Sequence, residues 1–226
     1  MSKKIKSEQN KTDIYITLGI SIFCLILWDS SIIYPIKIFV VLLHESSHAI
    51  AAIVSGGSVE SISLDLNLAG NTVTKGGNQI LIALSGYLGS LIFGLLIFVS
   101  AGSKNIRKWT TTILAIIFLL VAVNFLQGGL NIFLTVIIAL LFYFLPRFAN
   151  ENLLKFFLLF IGLTSCFYII ADIKQDLLTT TLRETDTQII EYLTGIPALA
   201  VGFFLFLLSI LLVGFLIKKI FVKSIG

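Results

Sequence analysis

Charge is scarce in this chain, and so are cysteine and histidine. Of 226 residues only 12% are Asp, Glu, Lys or Arg, whereas 57% are hydrophobic and the mean hydropathy is +1.03. A soluble domain carries about twice that share of charge, so the composition excludes one and indicates a protein that crosses a membrane several times. The two cysteines, Cys24 and Cys166, sit inside apolar runs. They exclude a disulfide framework and a thiolate zinc cluster, and read as small core hydrophobes. No internal repeat or low-complexity tract occurs, and the polar connectors are too short to hold a soluble domain. The segment from Ile14 to Trp28 follows a basic start but lacks a small-x-small cleavage site, so it is expected to stay as an uncleaved first span.

The net charge of +4 comes from lysines and arginines that flank apolar runs. Lys3, Lys4, Lys6 and Lys11 lie at one end, Lys104, Arg107 and Lys108 in a linker, and Lys218, Lys219 and Lys223 at the other end. Lipid headgroups explain that placement, so the expected partner is the bilayer and no nucleic acid. Apolar runs able to cross ~30 Å of hydrocarbon fall at 13–28, 36–54, 80–101, 109–126, 129–145, 153–178 and 197–217. Thr110 to Leu145 as one helix would be ~54 Å long, too long for one crossing, so Gln127-Gly128-Gly129 is read as a break. The expected fold is therefore an all-α polytopic membrane protein with about seven transmembrane helices. A basic tail (1–12), a single membrane domain (13–217) and a second basic tail (218–226) divide the chain. With seven crossings the N-terminal lysines and the other two basic clusters face opposite sides, so the positive-inside rule does not fix the orientation.

Two stretches depart from helical patterning. Ile62-Ser63-Leu64-Asp65-Leu66-Asn67-Leu68 alternates apolar and polar, the period of a half-buried strand, and Ala69-Gly70-Asn71 offers a turn before Thr72-Val73-Thr74. This predicts a short β-hairpin at the membrane surface, at about 57–75. The stretch from Lys174 to Gly195 is the longest polar connector and reads as a loop.

Against this background Val41-Leu42-Leu43-His44-Glu45-Ser46-Ser47-His48 is costly, because ionisable groups inside a span are rare unless they build a site. These are the only two histidines in the chain. Four residues apart on a helix, they project from the same face and present two nitrogens to one metal ion. Glu45 follows the first histidine, where a carboxylate can take a proton from water.

The stretch Leu43-His44-Glu45-Ser46-Ser47-His48-Ala49, the hairpin, Ser85-Gly86-Tyr87-Leu88-Gly89-Ser90, Phe160 to Ile173, Thr185-Asp186-Thr187 and Thr194-Gly195-Ile196-Pro197 together resemble the M50B-like branch of the site-2-protease family of intramembrane zinc metallopeptidases. The resemblance covers roughly residues 36 to 205. It implies a zinc ion held by His44, His48 and an aspartate from a distant helix, with Glu45 as catalytic base. The Asn-x-x-Pro…Leu-Asp-Gly motif that supplies this aspartate in better-characterised relatives is absent; Asn124-Phe125-Leu126-Gln127-Gly128-Gly129 echoes it faintly.

A metal needs its ligands at one membrane depth. Asp172 lies about six residues before the end of the sixth span, close to the level of the histidines, and is the expected third ligand, with Asp176 and Asp186 as alternatives. The expected function is hydrolysis of peptide bonds in a membrane-protein or peptide substrate, in a bacterial cell membrane. The hairpin edge, with Ile62, Leu64 and Leu66, is expected to hold the substrate extended by strand addition, and Asn124 to bind a substrate carbonyl. The alternative is a membrane zinc-binding or chaperone-like protein without proteolysis.

Overall fold

The computed structural model describes the backbone of residues 2–28, 30–64, 70–178 and 185–223. Seven apolar helices follow the apolar runs: α1 (Ser2–Ile26), α2 (Tyr34–Val54), α3 (Gln79–Ser100), α4 (Lys104–Asn124), α5 (Gly129–Phe148), α6 (Glu151–Leu178) and, after a short helix α7 (Asp186–Thr194), α8 (Ala198–Lys223). Among the described residues six stretches are long and apolar enough to cross a membrane, Ser31–Val54 among them, and α1 contributes the shorter apolar stretch Tyr15–Ile26. The break between α4 and α5 comes where Gly128 takes a left-handed φ of 87°, which a side chain would resist. Pro35 starts α2, where its missing N–H costs nothing, and the Asn78 side chain caps α3 by accepting from the Leu81 amide at 3.1 Å.

Helix α2 is the centre of the bundle. Its apolar window is 78% buried against 22% for α5, so α2 is surrounded by protein and α5 largely faces lipid. Phe39 on α2 stacks on Phe142 of α5 and meets Phe118 of α4 edge-on, closing the core on that side. Helices α3 and α6 run antiparallel and almost touch at backbone level. A Cβ on Gly162 would sit 2.6 Å from the Phe98 amide nitrogen, and one on Gly94 would sit 2.8 Å from the Gly162 carbonyl oxygen. In lipid, where apolar burial gives helices little reason to associate, such close backbone approach is what holds them together.

A hairpin forms in the expected region, but its bounds differ: the first strand starts earlier, at Ser58, and Gly70 and Asn71, expected in the turn, are paired in the second strand opposite Leu64 and Ser63. Strands β1 (Ser58–Leu64) and β2 (Gly70–Lys75) pair antiparallel, with Ile62 opposite Thr72 and Leu64 opposite Gly70. Residues 65–69, which include Asp65 and Leu66, lie outside the described residues. The hairpin does not stand free at the surface. Ile62 donates its N–H to the Phe125 carbonyl and accepts from the Gln127 amide, both at 2.8 Å, and Asn131 Nδ2 donates to the Leu64 carbonyl at 2.8 Å. The outer edge of β1 is thereby tied to the α4–α5 turn.

Where a loop is expected between Lys174 and Gly195, the structure has α7. The Thr185 hydroxyl accepts from the Gln188 amide while the Gln188 side chain accepts from the Thr185 amide, a capping box, and Gly195 closes the helix in a left-handed conformation. Thr187 and Ile190 are buried, so this short helix is packed down onto the bundle.

Candidate metal centre and cleft

His44 and His48 sit on α2 among buried neighbours, and their rings are 4.6 Å apart, centroid to centroid. Each ring is turned by what its Nδ1 meets. His48 Nδ1 lies 2.7 Å from the Ile82 carbonyl oxygen, which can only accept, so Nδ1 carries the proton and Nε2 keeps its lone pair. His44 Nδ1 faces Asp172 Oδ2 at 3.3 Å, near enough to pair electrostatically but not aligned for a hydrogen bond. Tyr168, one turn earlier on α6, donates its hydroxyl to the other Asp172 oxygen at 3.1 Å and fixes the carboxylate.

Both Nε2 atoms then converge on one oxygen. Asp186 Oδ2, carried by α7, is 3.0 Å from His44 Nε2 and 3.1 Å from His48 Nε2. The ligand atoms of His44, His48 and Asp186 all lie within 4.8 Å of one another. Two imidazoles and one carboxylate whose ligand atoms converge in this way form a donor set that suits a catalytic zinc. The residues fit a metal.

Asp172, the expected third ligand, lies beside His44, but its oxygen meets Nδ1, on the far side of the ring from the converging Nε2 atoms. Asp186 takes the converging position instead. The backbone of Asp176 is in the last turns of α6, and its side chain lies outside the described residues.

Glu45 is 2% exposed as a residue, and its Oε2 accepts a hydrogen bond from the Thr72 hydroxyl at 2.6 Å. Strand β2 lies so close over this carboxylate that a Cβ on Gly70 would overlap Glu45 Oε1. Helix α3 approaches the histidines just as closely at Gly86, where a Cβ would collide with His44 Nε2 and come within 2.6 Å of His48 Cε1. Gly86→Ala is therefore expected to push α3 away from α2 and lower metal affinity by on the order of 10-fold. Metal content after dialysis against a graded chelator reads this, and unchanged affinity would show that the two helices do not jointly shape the site.

A cleft of about 520 Å³ opens beside these groups. It is lined by Glu45, His48 and Asp186, by Thr72 and Thr74 of β2, and by α7 residues such as Ile189 and Tyr192. Ile62 and Leu64, expected to hold substrate, are instead buried beneath the hairpin, and their backbone groups on the outer side are engaged by the α4–α5 region. Because Ile62 points its N–H and C=O away from β2, the Ile62–Thr72 pair is of the non-hydrogen-bonded kind. Gly70, Thr72 and Thr74 therefore direct their backbone groups to the outer edge of β2. No further strand covers that edge among the described residues. Asn124 is also absent from the cleft; it is exposed and donates to the Leu120 carbonyl of its own helix at 2.8 Å. The amide side chain that does contact the hairpin is Asn131.

Asp186, expected only as an alternative third ligand, is the carboxylate at the converging position, and what the sequence reading missed is its helix, although Thr185-x-x-Gln188 followed by Ile189, Ile190 and Leu193 is a helix-start signature. Thr72 carried no signal beyond being in a strand.

Comparison with known proteins gives one match. The family model described as Peptidase M50B-like covers residues 17–216. No curated protein and no solved structure matches the chain.

Proposed function

Since this integral membrane protein belongs to the M50B-like peptidase family, we propose that it is a zinc-dependent intramembrane endopeptidase. The observation that carries the reading is the convergence of His44 Nε2, His48 Nε2 and Asp186 Oδ2 beside a buried Glu45 that borders a cleft. His44, His48 and Asp186 would hold the zinc, with Asp172 and the Ile82 carbonyl orienting the two imidazoles through Nδ1. When bound, zinc supplies Lewis acidity toward a carbonyl oxygen and lowers the pKa of a water molecule.

The remaining steps belong to the chain. Glu45, steadied by the Thr72 hydroxyl, takes a proton as the water oxygen bonds to the peptide carbonyl carbon, and returns one to the nitrogen as the C–N bond breaks. A helical substrate hides its carbonyls in i to i−4 bonds, so it must be drawn out before attack. The free edge of β2 supplies the pairing groups for an extended segment, at Gly70, Thr72 and Thr74, with α7 as the opposite wall. Thr74→Pro removes one outward N–H at an edge position that tolerates proline. It is expected to lower turnover by roughly 10-fold while metal content stays unchanged. Equal activity would place substrate binding elsewhere.

The direct test of the function compares membrane and exported proteins in cells making wild-type protein or Glu45→Gln. One or more intact substrates accumulate in the variant, with the matching fragments confined to wild type. Identical profiles would reject the peptidase and leave a membrane zinc-binding or chaperone-like protein.

A further inference from the structure

The arrangement of α1 decides which way the molecule faces. The apolar part of α1, from Ile14 to Ile26, is ~20 Å long at 1.5 Å per residue, short of a ~30 Å crossing. It packs along α6 in parallel. Ser21 meets Thr164 at 3.2 Å, and further along both chains the Trp28 ring lies 5.6 Å from that of Tyr168. Helix α6 rises from Glu151 to the level of Asp172 beside His44, so α1 also starts at the end of the bundle away from the cleft and rises part of the way. Helix α2 then begins below the histidines and completes the crossing to the hairpin. One passage is thus shared by α1 and α2.

With that passage counted once, the basic clusters no longer fall on opposite sides. The first turns of α1 carry Lys3, Lys4, Lys6 and Lys11. Lys104, Arg107 and Lys108 begin α4, Arg147 ends α5, Lys155 lies in the second turn of α6, and Lys218, Lys219 and Lys223 end α8. All of these belong to the end opposite the cleft, where Lys104 pairs with Glu151 at 3.2 Å. At the cleft end the described elements carry Lys75 on β2 and Lys174 on the last turns of α6. Acidic residues balance them there, among them Glu60 on β1 and Glu191 on α7. Lysine and arginine close to the ends of spans remain on the cytoplasmic side, where anionic lipid headgroups also attract them.

We infer that the cleft opens on the non-cytoplasmic face of the membrane, so that the chain cut there is an extended, non-cytoplasmic segment of an exported or membrane-anchored protein. The orientation stands on the helices and charges alone; naming its occupant as a substrate rests on the peptidase reading.

Two single cysteines test the orientation. Ser58 at the start of β1 and Asn105 at the start of α4 are both exposed, at opposite ends of the bundle, and the native Cys24 and Cys166 are buried. In right-side-out membrane vesicles, a membrane-impermeant maleimide is expected to label Ser58→Cys at once, and Asn105→Cys only after the membrane is permeabilised. The reverse order, or equal labelling of both before permeabilisation, overturns the inference. The same labelling made in the Glu45→Gln background reads orientation without hydrolysis, so a wrong orientation and a missing peptidase activity give separate signals.

Discussion

Glu45→Gln is expected to abolish turnover, with a fall in rate of at least ~10², while the protein stays folded and keeps its metal. Glutamine matches glutamate in size, and its amide oxygen can still accept the Thr72 hydroxyl bond that now reaches Glu45 Oε2 at 2.6 Å. The fit beneath Gly70 is thus preserved. What glutamine cannot do is take a proton from water and hand it to the leaving nitrogen. Buried carboxylates elsewhere do not substitute, because Asp186 is committed to the two Nε2 atoms and Asp172 faces a histidine Nδ1. The measurement is cleavage of a substrate found by the proteomic comparison, with protein in liposomes and zinc counted in the same sample. Undiminished cleavage at full metal content would remove Glu45 from the chemistry.

Asp186→Ala and Asp172→Asn should separate in metal affinity. Loss of the Asp186 oxygen takes away one of three converging donors, and nothing else in the described cleft presents a carboxylate to both Nε2 atoms. Affinity is expected to fall by more than ~10². Asp172→Asn keeps one oxygen to accept from the Tyr168 hydroxyl and sets an uncharged amide group opposite His44 Nδ1 in place of the second carboxylate oxygen. Its expected cost is about 10-fold, the low end for a group that orients a ligand without touching the metal. Titration of the purified variants against a competing zinc chelator reads both. A larger loss in Asp172→Asn than in Asp186→Ala would return the third-ligand role to Asp172 and leave α7 as a wall of the cleft only.

Much of this molecule was legible from the order of its residues because membrane crossing is a local demand. Each span must satisfy its own backbone within a single helix, so the apolar runs marked α2 to α6 and α8 to within a few residues at most ends. That a hairpin lies between α2 and α3 was legible for a similar reason, since alternation is a property of one strand, whereas its bounds and turn were not. So was the pair His44 and His48 with Glu45, whose spacing on α2 is set by helical geometry.

What only the tertiary structure decided depends on which separate elements meet. Asp172 and Asp186 are both carboxylates within reach of His44, and depth in the membrane does not tell them apart; the side of the imidazole ring each one faces does. Asp186 reaches the converging side because α7, polar in sequence, folds back and buries Thr187 and Ile190 against the bundle. Pairing of Ile62 with Phe125 and Gln127 fills one hairpin edge and exposes the other, a choice no alternation pattern encodes. The orientation inferred above rests on the parallel packing of α1 along α6, held by contacts such as Ser21 with Thr164, residues far apart in the chain. The sequence by itself determined the membrane-crossing helices and the histidine pair. The converging carboxylate, the open strand edge and the packing of α1 along α6 arise from long-range contacts, whose energy depends on geometry that no local pattern contains.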